Sequence, residues 1–295
     1  MNVIEIQHLT KDYGGNRGIF DITLSVAKGE VFGFLGPNGA GKSTTIRHLM
    51  GFIQASKGSC QINGLDCLKD RAIIQNQLGY LPGEIAFMDD MSGIEFIKFM
   101  ANMRGMTDLS KAHELMELFE LNPNGKIKKM SKGMKQKVGI VCAFMHDPDI
   151  LILDEPSSGL DPLMQNRFID LILAEKAKGK TIFMSSHIFE EIERTCDRCG
   201  MIKDGKLISI EEMQILKATK QKAYLVTFQT EEMAKAFRKE KFTCTQVLPH
   251  QLKVSIQGEI NEFLQTISQY EVVDLDVESP TLEELFLHFY GGKQS

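Results

Sequence analysis

The stretch Gly36-Pro37-Asn38-Gly39-Ala40-Gly41-Lys42-Ser43-Thr44 constrains this chain more than any other. It follows Val31-Phe32-Gly33-Phe34-Leu35, which reads as a buried strand, and it runs into Thr45-Ile46-Arg47-His48-Leu49-Met50, the opening of an amphipathic helix. A glycine loop between strand and helix is the start of an α/β unit. Such a loop wraps successive backbone N–H groups around a phosphate at a helix N-terminus, where the helix dipole favours negative charge. The glycines allow close approach and dihedrals that a Cβ would forbid. Lys42 is spaced to reach β- and γ-phosphates, and the Ser43 hydroxyl to ligate Mg²⁺. The expectation is a nucleoside triphosphate-binding domain.

The rest of the chain fits that start. Ile4–Leu9 and Ile22–Val26 read as half-buried strands, with Lys28-Gly29-Glu30 turning the second into Val31. Ile150-Leu151-Ile152-Leu153 and Thr181-Ile182-Phe183-Met184-Ser185 are short apolar runs suited to central parallel strands. Between them, Leu163, Phe168, Ile169, Leu171 and Ile172 fall at helical spacing, closed by Gly179. From about Ser92 to His146 the texture is Met- and Phe-rich and helical throughout, an all-helical insertion (about 88–146) whose apolar side chains mostly pack its own core. Asp204-Gly205 marks a hairpin. After the lysine-rich Lys217–Lys222, the pattern strand (Ala223–Phe228), helix (Glu231–Lys239), strand (Thr243–Leu248), strand (Leu252–Ile256), helix (Glu259–Ser268), strand (Val272–Val277) predicts a small ferredoxin-like α+β unit. A last helix, Thr281–Tyr290, is expected after Pro280. The expected division is thus 1–215 and 222–295.

At 295 residues and 25% charged side chains, the composition is that of an ordinary globular protein. A formal net charge of −5 with no basic run argues against a nucleic-acid partner. No apolar run approaches the ~18 residues that span a bilayer, and Met1-Asn2-Val3-Ile4-Glu5 lacks the features of a secretion signal. An intracellular location is expected. Cys196-Asp197-Arg198-Cys199 stands alone, without a second pair or spaced histidines, and reads as structural thiols.

Three further groups carry chemistry. Asp154-Glu155 closes the Ile150–Leu153 strand, where Asp154 can bind Mg²⁺ and Glu155 can activate water. His187, after Ser185-Ser186, sits at the end of the next strand, the edge at which open parallel sheets bind ligands, and beside Lys42, Asp154 and Glu155 it reads as a γ-phosphate contact. Met130-Ser131-Lys132-Gly133-Met134-Lys135-Gln136-Lys137 places Ser131 as N-cap of a helix running to about His146.

With that last segment the chain resembles the ATP-binding cassette (ABC) ATPases, whose signature Leu-Ser-Gly-Gly-Gln precedes a helix. Ser131, Gly133 and the downstream Gln136 match, while Lys132 and Met134 depart from the commonest form. The Ser-Lys-Gly-Met-Lys-Gln version resembles that of exporters whose ATPase and membrane parts are separate chains. The resemblance covers roughly residues 1–215. It implies ATP and Mg²⁺ as ligands, with Tyr13 stacking on adenine, Gly36–Thr44 on the phosphates, Ser43 and Asp154 on the metal, and Lys42, Glu155 and His187 in hydrolysis. Ser131 and Gly133 would bind the γ-phosphate held by an opposite subunit, and Ser158-Gly159-Leu160-Asp161 would carry messages between the two. Position 83, usually glutamine in the family, is glycine here, followed by Glu84. The implied protein is the ATPase subunit of an exporter, paired with a second ATPase subunit and a membrane-spanning permease. The alternative is a soluble ABC-type ATPase acting on ribosomes or nucleic acid.

Overall fold

Short apolar runs become strands and the longer periodic segments become helices. The computed structural model describes residues 1–88, 90–219, 223–256 and 260–278, and the chain divides into two units after Met213. The first unit opens with β1 (Asn2–Asp12), β2 (Gly18–Ala27) and β3 (Val31–Leu35), followed by α1 (Lys42–Leu49). Next come β4 (Lys57–Ile62), β5 (Leu65–Asp66), α2 (Arg71–Gln77) and β6 (Leu78–Leu81). The helices α3 (Gly93–Met103), α4 (Ser110–Leu118) and α5 (Lys132–Phe144) lead to β7 (Ile150–Asp154) and α6 (Pro162–Ala177). The unit closes with β8 (Thr181–Ser186), α7 (Phe189–Thr195), β9 (Arg198–Lys203) and β10 (Lys206–Glu212).

Two sheets share the work. Strands order β2-β1-β4-β5 in an antiparallel sheet and β10-β9-β3-β8-β7-β6 in a mostly parallel one. Every residue of β3, β7 and β8 is buried, as strands covered on both faces must be. Phe183 stacks against Phe32 at 5.7 Å between ring centroids and tilts against Phe34 at 5.5 Å. Gly33 is part of that packing. A Cβ there would stand 2.8 Å from Ile192 Cγ2 and 2.9 Å from Cys196 Sγ, so its absence lets α7 press onto β3. Cys196 fills that contact, and burial pushes its thiol up to about 12.

The mostly parallel α/β core with antiparallel N-terminal strands follows the expectation. The helical insertion is more broken than expected. Among the described residues it holds three α-helices and a short 3-10 turn (Ile127–Lys129), with Gly105 (φ +67°) just after α3 and the Asn122-Pro123-Asn124-Gly125 turn before α5. Within it, Phe96 and Met116 are buried, and Phe87 meets Phe96 edge-on at 5.0 Å, whereas Met103 is 71% exposed. Strands β4, β5 and β6 carry too weak a pattern to read from sequence: in β4 only Ile62 is buried.

Registry fixes the working edge. Leu35 lies opposite Ser186 and Asp154 opposite Ser185, so the chain leaves β3, β7 and β8 at the same level of the sheet. Glycine loop, Asp154-Glu155 and Ser186-His187 therefore emerge side by side. No described helix is long and apolar enough to cross a membrane.

From Met213 runs α8 (Met213–Thr219), and the second unit continues with β11 (Ala223–Phe228), α9 (Glu231–Phe237), β12 (Thr243–Leu248), β13 (Gln251–Ser255), α10 (Ile260–Ile267) and β14 (Val272–Glu278). The strands order β12-β13-β11-β14, each pair antiparallel, around a core that includes Val226, Phe228, Phe237 and Phe263. The expected helix Thr281–Tyr290 lies outside the described residues.

Candidate active site

The loop from Gly36 to Thr44 is shaped by its glycines. Gly39 (φ +82°) and Gly41 (φ +111°) adopt the left-handed region, and a Cβ on Gly36 would lie 2.3 Å from the Ile202 carbonyl oxygen. Gly36 N–H donates to the Ser186 carbonyl at 3.3 Å, and Ala40 N–H to Pro37 at 3.2 Å, which ties the loop to β8 and closes its own turn. Gly41 gives α1 no side-chain cap, and the helix has no acid in its first turn. Those amides suit an external anion.

Lys42 is buried at the centre. Its ammonium donates to the carbonyls of Gly36 (2.6 Å) and Pro37 (3.1 Å) and lies 3.0 Å from Glu155 Oε1 as an ion pair, without hydrogen-bond alignment. Glu155 itself sits at φ +49°, costly for a residue with a Cβ. Backbone bonds hold it there: its N–H donates to Ser185 Oγ (3.0 Å), and Gln136 Nε2 donates to the carbonyl of Pro156 (2.8 Å). The other carboxylate oxygen of Glu155 lies 2.6 Å from His187 Nδ1, which places a proton on that nitrogen. Asp154 is buried and its Oδ1 accepts from Ser185 Oγ at 2.6 Å. Ser185 thus orients both acids, one through its side chain and one through its backbone.

Two adjoining cavities meet here. One, about 890 Å³, is lined by Ser43, Asp154, Glu155 and His187 together with Phe52, Tyr80, Gly83, Glu84 and Met100. Burial, with a smaller push from the charge of Asp154, drives the Tyr80 hydroxyl up to about 12. A Cβ on Gly83 would stand 3.1 Å from Asp154 Oδ2, so position 83 lies directly against the acid. The second cavity, about 550 Å³, runs from Lys42, Ser43 and Thr44 to Tyr13, whose ring is 51% exposed at the rim. Oxygen donors from Ser43 and Asp154 on one cavity wall are the hard ligands that Mg²⁺ takes.

Ser131 and Gly133 lie elsewhere. Among the described residues neither lines either cavity. Ser131 is exposed and caps α5, accepting from Met134 N–H at 3.2 Å. At Gly133 a Cβ would stand 2.6 Å from the Gly159 carbonyl oxygen, so the helix start rests directly on the backbone of the loop after Glu155. Lys132 Nζ donates to Ser158 Oγ at 2.8 Å across the same contact.

Comparison with known proteins agrees with this geometry. The ABC transporter family model matches residues 19–158. The chain is 31% identical to the linearmycin resistance ATP-binding protein LnrL of Bacillus subtilis, over 98% of each chain. It is 32% identical to the bacitracin transport ATP-binding protein BcrA of Bacillus licheniformis, again over 98% of each. The chain belongs to the ABC transporter ATP-binding subunits. A solved ATP-binding subunit of an ABC transporter superposes on 73% of this chain and 92% of its own, at 31% identity and a TM-score of 0.65. Membership makes it the ATPase subunit of a transporter and sets aside the ribosomal or nucleic-acid alternative. The match to both relatives spans 98% of this chain and so continues past residue 215.

The structure brings Lys42, Asp154, Glu155 and His187, the charged candidates of the sequence, to one sheet edge, and adds side chains that hold them. Ser185 and Ser186 stood in view only as neighbours of His187. Ser157 and Glu191 gave no signal, since an acid in Glu190-Glu191-Ile192-Glu193 reads as part of a solvated helix face.

Proposed function

We propose that this chain is the ATP-hydrolysing subunit of an ABC exporter, working as one of a pair on a separate membrane permease at the cytoplasmic face of the membrane. The observation that carries the reading is the convergence of Lys42, Glu155, His187 and Asp154 on the glycine loop at one sheet edge. Tyr13 would stack on the adenine, and the amides of Gly36–Thr44 with the Lys42 ammonium would hold the β- and γ-phosphates. Ser43 and Asp154 would hold Mg²⁺, which when bound neutralises charge on the phosphate oxygens. Glu155 accepts a proton from the attacking water, and His187 fixes the carboxylate through its Nδ1–H.

Ser131 and Gly133 line neither cavity of this site, and we assign them to the γ-phosphate held by an opposite subunit. Two subunits would then close on two ATP molecules and reopen after hydrolysis, which supplies the differential affinity that a conformational cycle needs. Residues 1–215 would form the ABC domain and 222–295 an accessory domain. The relatives named for linearmycin resistance and bacitracin transport make an antibiotic the first cargo class to examine. The test is to tag the chain in its native cell, solubilise membranes in mild detergent and identify its companions by mass spectrometry. A polytopic membrane protein in near-equal amount is expected; recovery without any membrane protein would refute the reading.

A further inference from the structure

Glu191, on α7, is 3% exposed, yet it belongs to a run of acids that the sequence presents as surface. Its Oε2 accepts from Ser186 Oγ at 2.6 Å and from Ser157 Oγ at 3.2 Å. Ser186 immediately precedes His187, and Ser157 follows Glu155 by two positions. One carboxylate oxygen therefore joins the two loops that carry the His187–Glu155 pair. Ser186 Oγ also accepts from Ile188 N–H at 3.0 Å, so the bond fixes backbone on both sides of His187. The second oxygen, Oε1, is buried and has no hydrogen-bond partner. It adjoins a cavity of about 120 Å³ lined by Ser157, Asn166, Glu190 and Arg194. Arg194 is engaged elsewhere, donating to Asn166 Oδ1 at 2.6 Å and pairing with Glu190.

We propose that Glu191 is a positioning residue, one that locks the Glu155 loop to the His187 loop and so keeps the base and its histidine in hydrogen-bond contact. A buried acid retained only for packing would cost less as an apolar side chain. Here the two serine hydroxyls both point to it. Burial pushes the carboxyl up to about 7, the two serines oppose that rise, and the nearby charge of Glu155 adds to it. The other titratable groups facing it, Cys196 and Glu190 on its own helix, supply no positive charge, and Arg194 is held by Glu190 and Asn166. The tie thus works with the acid either neutral or ionised, since Oε2 accepts in both forms.

The inference rests on the hydrolytic reading above, and two readouts on the purified full-length chain separate them. The first is amide exchange by mass spectrometry over residues 155–161 and 186–190, without nucleotide. Glu191→Ala should speed exchange in both segments by about tenfold or more, with the rest of the sheet unchanged. The second is ATP turnover: Glu191→Ala should lower kcat by about 10- to 100-fold while KM for ATP stays within about two-fold. Glu191→Gln should restore both measurements, because its amide oxygen can accept from the two serines and its NH₂ replaces the protonated Oε1. Unchanged exchange in Glu191→Ala, or a glutamine variant as impaired as the alanine one, would overturn the proposal. A wild-type chain without turnover would count against hydrolysis alone, and the exchange measurement would still decide the role of Glu191.

Discussion

Lys42 and Glu155 lie 3.0 Å apart, and each has other anchors: the Gly36 carbonyl accepts from the Lys42 ammonium, and Ser185 Oγ accepts from the Glu155 N–H. Removing the Glu155 carboxylate should therefore leave its turn intact, whereas removing Lys42 also frees the Gly36 and Pro37 carbonyls of the loop. Lys42→Ala should cut ATP turnover by about 10²- to 10³-fold, the usual scale for a lost electrostatic clamp. Glu155→Gln should cut it by about 10²- to 10⁴-fold, the range of a general base, while nucleotide still binds, since Ser185 and Gln136 hold this turn through its backbone atoms. Turnover assays beside equilibrium binding of a fluorescent ATP analogue check both. These residues were legible in the sequence because each sits at the end of an apolar strand or in a glycine loop, where spacing alone assigns an edge. The holding roles of Ser185 and Glu191 were not, nor was the bond Gln136 makes, because their partners lie 19 or more positions away or in another loop, and no local period encodes a tertiary hydrogen bond.

Packing between elements is set by small residues as much as by large ones. Gly33 admits α7 to the sheet, so Gly33→Val should destabilise the chain by about 1–3 kcal/mol, the scale of an overpacked core; chemical denaturation measures it. The elements also set how stability varies with pH. Glu191 has its folded-state value raised to about 7 from 4.5, so it binds a proton in the fold that it releases on unfolding. Its contribution is present at acid pH and is lost as pH rises through about 7. His146, on the turn after α5, works in the opposite sense. Burial lowers it to about 4, and stability is lost as pH falls below 6.5. Glu191→Gln should therefore gain on the wild type between pH 5.5 and pH 8, read as a widening gap between their denaturation midpoints. The strands β3, β7 and β8 were legible because burial on both faces forces a continuous apolar run, whereas β4 and β6, short or half-solvated, leave no such mark.

For the whole molecule, a single chain gathers Lys42, Asp154, Glu155 and His187 around two cavities, while Ser131 and Gly133 line neither. Glu155→Gln should consequently accumulate as an ATP-bound dimer; size exclusion with ATP and Mg²⁺ would show a shift to twice the wild-type mass, and a persistent monomer would contradict the paired arrangement. The contact at the head of α5 bears on something else. Lys132 is bonded to Ser158, Gln136 to Pro156, and Gly133 lies against Gly159, so the helical insertion is fastened to chain that follows the next strand. A segment exchanged between related proteins at residue 146 would carry one half of each fastening and meet a stranger's other half. The smallest transplantable piece runs past residue 159 and takes β7 with it, so recombination, natural or engineered, inherits the helices and the hydrolytic carboxylate as one allele.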